Sequence, residues 1–329
     1  MPRPMITAML LASTATMAAA HSESPIDHLS HFFESANVIS GPEIVDCTLS
    51  EGAQSTCFSI TVSTTVAPKN STPGPWCPTN ISDGPEAGGI WLQDGEVYDV
   101  DGAFISKLAE FYGDAEWQLF DPETGEIQYT GTLEACEAAA RPDVDPAYQN
   151  HCVQCQIAYV PDGSAITYVI QLDPVASERP TQTNQTGSGV AFNGVRLDGP
   201  APVNAILGAY TIAPFDDCGG HVNTHVGYHY HAVTDCLDGA ADDDGGDGHG
   251  GQIGIAMDGY PILPHTDTSG AAFTDLDSCN GHKDETGAYH YHAGAAGSNQ
   301  ILGCLSAQAG CVLEGHGNTC DASARPPRP

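Results

Sequence analysis

The string Tyr-His-Tyr-His occurs at Tyr228–His231 and again at Tyr289–His292, and it constrains the fold more than any other feature of the chain. Each copy lies in the frame Cys-x-Gly-His-x6-Tyr-His-Tyr-His-Ala, from Cys218 to Ala232 and from Cys279 to Ala293, with no gap. Eight specified residues do not recur in this way by chance. On a β-strand every second side chain points to the same face. His229 and His231 therefore share a face, as do His290 and His292, and the tyrosines take the other.

Neutral imidazole is the commonest biological ligand for zinc, copper, iron and nickel. Two histidines at i and i+2 on a strand have Cβ atoms roughly 6.5–7 Å apart, so both rings reach one ion with bonds of about 2.0–2.1 Å. The candidate metal ligands are His229, His231, His290 and His292, joined by His221 and His282 at the matching upstream position. The expected arrangement is a single point at which imidazoles from both copies meet. Asp216 and Asp277, each two residues before the Cys, are expected to accept imidazole N–H groups, with Tyr228 and Tyr289 beside them. His225 has no counterpart, because Thr286 holds that position. The competing reading is structural: a duplicated unit repeats its core residues too, and Tyr-His-Tyr-His is a good strand sequence.

Nine Lys and Arg face 42 Asp and Glu, for a formal charge of −33. Nucleic acid and anionic membrane surfaces require basic patches, so neither is expected as a partner. Residues 1–20 read as an export signal, with Arg3 before an apolar Met5–Ala12 and small residues at Ala18-Ala19-Ala20. That apolar run is too short to span a bilayer, and no membrane insertion is expected. The expected location is the periplasm or the outside of the cell. Twelve Cys, an even number in an exported chain, point to disulfides whose pairing the sequence does not give. Cys47/Cys57, Cys218/Cys236 and Cys304/Cys311/Cys320 are close enough for local loops.

The expected fold class is α+β, mainly β, with antiparallel sheets, short helices, disulfides and Gly/Pro-rich loops. Strands are expected at Cys57–Val66, Ile157–Val160 and Ile166–Leu172, and a hairpin across Asp94-Gly95. Helical segments are expected at Pro25–Phe33, Phe104–Tyr112 and Leu133–Ala140. Asp173–Ser188, almost without large apolar residues, reads as a linker or long surface loop. The expected organisation is a signal over 1–20, an α+β domain over 21–180, a His-rich domain over 181–312 and a tail over 313–329.

Other motifs carry less. Asp238–Asp247, leading into Gly248-His249, is an acidic Gly-rich stretch that suits calcium by composition. It lacks EF-hand spacing, so a flexible, solvated acidic loop is expected rather than a calcium site, with covering the His cluster as its other expected role. Cys152-Val-Gln-Cys155 has redox spacing, but structural pairing fits an exported chain better. Cleavage after Ala20 would make His21 an N-terminal copper chelator with His28 or His31. No Gly-x-Ser-x-Gly elbow, phosphate-binding Gly loop or His-Glu-x-x-His is present.

The stretches Gly189–Val195, Asp217–His221, Gly227–His231, Ile253–Ile262, Leu276–His282 and Gly287–His292 together resemble the exported YHYH-domain proteins. The resemblance covers about 187–304 and implies export and a His-rich domain, without supplying a reaction. The functional expectation is an exported protein that binds zinc or copper at its duplicated His residues. Catalysis would take the form of metal-dependent hydrolysis or copper redox chemistry on an unknown substrate. The rival is a non-catalytic surface or matrix module with structural His and calcium-binding acidic loops.

Overall fold

The computed structural model describes residues 24–141, 143–183, 187–238 and 249–324. The expected signal over 1–20, His21 and nearly all of the acidic stretch, 239–247, lie outside the described residues. In chain order the strands are β1 (Val38–Thr48), β2 (Gln54–Ser63), β3 (Ile90–Gln93), β4 (Glu96–Asp99), β5 (Ala165–Gln171) and β6 (Ala176–Gln182). They continue with β7 (Gly189–Ala191), β8 (Arg196–Leu197), β9 (Gly220–Asn223), β10 (Gly227–Tyr230), β11 (Gly254–Ala256) and β12 (Pro261–Leu263). The last are β13 (Gly281–Lys283), β14 (Tyr289–His292), β15 (Cys304–Ala307), β16 (Cys311–Glu314) and β17 (Cys320–Asp321).

Five strands form one sheet in the order β16-β5-β2-β1-β17, and eight form a second in the order β13-β14-β12-β11-β7-β8-β10-β9. Strands β3/β4 and β6/β15 make two small ribbons. Helices are short, the longest described being Pro25–Phe32, with Pro at its start and the Ser24 hydroxyl accepting from the Asp27 N–H. The fold is thus α+β and mainly β, with six disulfides. Among the described residues no helix is long and apolar enough to cross a membrane.

The main core lies between the two large sheets. Phe58, Ile60, Ile166, Tyr168 and Ile170 of the five-stranded sheet share one buried cluster with Val190, Leu197, Tyr228, Tyr230, Ile255 and Tyr291 of the eight-stranded one. The tyrosine face of the Tyr-His-Tyr-His strands thus turns inward. A second cluster, with Trp91, Leu108, Trp117 and Leu119, is built around the Cys77–Cys152 disulfide.

The eight-stranded sheet is a doubled four-strand unit. In one half the β7/β8 hairpin lies parallel, through β8, to β10 of the β9/β10 hairpin; in the other β11/β12 lies parallel, through β12, to β14 of β13/β14. Gly189-Val-Ala-Phe-Asn-Gly matches Gly254-Ile-Ala-Met-Asp-Gly in sequence. The halves join where β7 and β11 run antiparallel, pairing Gly189 with Ala256, Val190 with Ile255 and Ala191 with Gly254. That register is its own mirror: exchanging the halves returns the same pairs. A local twofold axis therefore passes between Val190 and Ile255.

The hairpin at Asp94-Gly95 forms as expected, with both residues at positive φ (55° and 87°), as a type I′ turn demands. Ile157–Tyr159 is a 3-10 turn, not a strand; a four-residue apolar run is too short for periodicity to decide. Within the expected linker, β6 pairs with β15, Cys304 opposite Gln182 and Leu305 opposite Thr181. Its side chains are mostly exposed, so main-chain pairing holds a strand that composition hides. A boundary at 180/181 would cut this strand. The expected tail over 313–329 contains part of β16 and all of β17, which the Cys311–Cys320 disulfide and pairing with β1 bind to the sheet.

Candidate metal centres

The repeated frame builds the same hairpin twice. In the first copy the Asp216 carboxylate accepts N–H groups from Cys218 and Gly220 and the hydroxyl of Tyr228. In the second, Asp277 accepts from Cys279, Gly281 and the Tyr289 hydroxyl. A Cβ on Gly220 or Gly281 would collide with the ring of Tyr228 or Tyr289, which is why each histidine of the pair His221 and His282 follows a glycine. The hairpin register then sets His221 opposite His229 and His282 opposite His290.

Three imidazoles gather in each copy with nearly the same geometry. Ring centroids are 4.7 Å (His221–His229), 5.0 Å (His221–His231) and 4.9 Å (His229–His231) apart in the first. The second gives 4.6 Å (His282–His290), 5.0 Å (His282–His292) and 5.0 Å (His290–His292). His249 joins the second group, its ring 4.9 Å from His290 and stacked on Phe273. In each group every residue offers a ligand atom within 4.8 Å of all the others.

Two expectations are corrected here. The copies do not meet at one point. They lie toward opposite edges of the sheet, with β10 and β14 five strand positions apart in its order, a separation of about 24 Å at the usual strand spacing. The twofold at the sheet centre, rather than a face-to-face approach, relates them. Nor do Asp216 and Asp277 accept from imidazoles. They serve the turns and the tyrosines on the other face, because a strand's alternation keeps Tyr228 and Tyr289 away from the histidines. The imidazole Nδ1 atoms turn to backbone carbonyls: His229 to Gly227 at 3.0 Å, His231 to Gly199 at 2.6 Å, His292 to Pro264 at 2.6 Å. His282 Nδ1 faces the carboxylate of Asp275 at 3.0 Å.

These contacts decide the tautomers. A carbonyl oxygen only accepts, so Nδ1 carries the proton and Nε2 of the neutral ring is a bare lone pair. In the second group Nε2 of His282 stands 2.9 Å from Nε2 of His290 and 3.2 Å from Nε2 of His292. With Nδ1–H of a neutral His282 directed at Asp275, its Nε2 lone pair faces that of His292. Such an arrangement repels itself unless a cation sits between the nitrogens. Tetrahedral bonds of about 2.0–2.1 Å put ligand nitrogens about 3.3 Å apart, close to the spacing seen.

Burial, reinforced by the positive charge that neighbouring histidines would carry, holds His221 well below its ordinary value. Burial also lowers His229, takes His231 down to about 3 and takes His292 down to about 4. All four are neutral at pH 7, the form that binds metal.

The metal-free fold should therefore weaken in mild acid. Below pH 6.5 the unfolded chain takes up protons that His231 and His292 refuse when folded, so stability is lost from there toward pH 4 and 3. At pH 5 this amounts to about 2 kcal/mol for His231 and about 1 kcal/mol for the more screened His292. Asp258, buried at the other end of the Tyr291 hydroxyl bond and pushed up to about 6, acts oppositely. Its folded carboxyl gains a proton first, returning about 1 kcal/mol. These three groups alone give a loss of roughly 2 kcal/mol between pH 7 and pH 5, and His221 and His229, lowered by burial as well, act in the same direction; urea unfolding of chelator-treated protein reads it, and equal stability at both values would refute the assignment.

The two groups differ in surroundings. A cavity of about 690 Å³ opens onto His221, His229 and His231. Its walls include Trp76, Ala139, Val153 and Gln154 from the region before β5, and Arg196 and Asp198 beside the histidines. Arg196 stands opposite His229 in the β8/β10 pairing, is buried, and pairs with Asp198 at 3.1 Å. Neither Arg196 nor His249 is among the expected ligands, because neither lies in the repeated frame; His249 is marked in the sequence only by its place at the end of the acidic stretch. His225 lines the cavity. His28 and His31 lie on the exposed face of the first helix.

The Cys152-x-x-Cys155 pair is not a redox couple, since Cys152 bonds Cys77 and Cys155 bonds Cys136. Neither curated proteins nor solved structures gave a match to this chain. Residues 167–272 match the family described as YHYH protein, a span that includes Tyr228–His231 and ends before Tyr289–His292. Residues 167–272 thus carry a YHYH domain, in agreement with the resemblance seen in the sequence.

Proposed function

We propose that this is an exported metal-binding protein in which each copy of the His frame holds its own zinc or copper ion. His221, His229 and His231 would ligate one ion, and His249, His282, His290 and His292 the other. The observation that carries this reading is the convergence of imidazole nitrogens in each copy, with Nδ1 of His229, His231 and His292 held at backbone carbonyls so that Nε2 is left to ligate. An all-imidazole donor set suits zinc and copper(II). When bound, such an ion supplies Lewis acidity. Export to the periplasm or beyond is supported by the apolar Met5–Ala12 segment and by the six disulfides.

Native protein is expected to carry two equivalents of zinc or copper by elemental analysis, or to take them up on dialysis. His229→Ala should lose one equivalent and His290→Ala the other, with far-ultraviolet circular dichroism unchanged. If metal-free protein takes up neither ion, the histidines are structural and the proposal fails.

A further inference from the structure

The two centres are twins in their strands and unlike in what surrounds them, and the inference drawn from this rests on the ion-binding reading above. In the second centre His249 brings a fourth nitrogen, completing the tetrahedral set of a closed site. In the first, three imidazoles face a cavity of about 690 Å³, within the usual range for small-molecule sites. Three-nitrogen sites that open to a cavity keep a position for an outside ligand.

The charge at that position is positive. Neutral imidazoles leave the ion's two charges uncompensated, and Asp198 beside them is paired with Arg196. Arg196 marks the difference between the halves, because the position equivalent to it in β12 is Pro261. A guanidinium is a planar fork of donors that matches a carboxylate. Trp76, Ile206 and Val222 give the same cavity apolar walls. The overall charge of −33 opposes an anion at long range, but salt screens that field beyond about 8 Å, while the ion and Arg196 act at contact.

We propose that the first centre binds a small organic carboxylate, one oxygen on the ion's open position, the other toward Arg196, and the apolar body against Trp76 and Ile206. The second centre takes no outside ligand.

Cobalt(II)-loaded protein titrated with benzoate tests this, since visible absorption reports cobalt coordination. Benzoate should change the spectrum of one cobalt of the two. The responding ion should be missing in His229→Ala and present in His290→Ala. Arg196→Gln should weaken benzoate binding by about tenfold or more at unchanged cobalt content, and Arg196→Lys should restore part of the loss. The cobalt kept at the untouched centre shows that each variant is folded. An unresponsive spectrum, a response belonging to the second centre, or unchanged affinity in Arg196→Gln would overturn the carboxylate site while leaving ion binding intact. Failure to take up cobalt would overturn both.

Discussion

Zinc added to the metal-free protein is expected to raise its unfolding free energy by about 4 kcal/mol per centre when free zinc is a thousandfold above the dissociation constant. Both centres together give about 8 kcal/mol, comparable to the whole stability of an ordinary domain. The increment is large because the unfolded chain scatters its histidines, whereas the hairpins hold three imidazoles with ring centroids 4.6–5.0 Å apart in each copy. Urea titrations with and without zinc measure it. His229→Ala and His290→Ala should each remove about half, and the double variant nearly all. A zinc effect that survives the double variant would place the ion elsewhere.

Breaking the Cys77–Cys152 disulfide should cost about 4 kcal/mol. The bond joins residues 75 apart in sequence, the longest span among the six, and loop-closure entropy grows with that span. Cys311–Cys320, spanning 9 residues, should cost only about 2.5 kcal/mol. Cys77 and Cys152 are also buried among Trp91, Leu119 and Ile212, in the region that walls the cavity. The double replacement Cys77→Ala/Cys152→Ala, compared with Cys311→Ala/Cys320→Ala by urea unfolding, separates the two costs. Equal losses would mean that loop length does not govern them.

The sequence is most legible where local chemistry decides structure. Alternation alone separates the tyrosine from the histidine faces, and Asp94-Gly95 alone makes its turn. The repeated frame foretells two like hairpins. It does not foretell how far apart they stand, because that follows from the pairing of β7 with β11, a tertiary contact that lies outside the repeated frame. His249 and Arg196 were hidden for the same reason: tertiary pairing brings them to the imidazoles. Strand β6, with its polar Ala176–Gln182, was hidden because an exposed ribbon buries too little apolar surface to leave a periodic trace. The acceptors of the imidazole N–H groups were misplaced because backbone carbonyls such as Gly199 and Pro264 leave no mark in a side-chain pattern.

The symmetric register of Val190 against Ile255 has one more consequence. A β7-type edge that pairs antiparallel with its own likeness is what an isologous dimer contact looks like. A peptide encoding only one half would present that edge to a second molecule and join it there. Covalent fusion of the halves frees each from the need to match itself. Selection can then place an arginine in one half and a proline in the other, which a true homodimer, with both halves spelled by one gene segment, is unable to do.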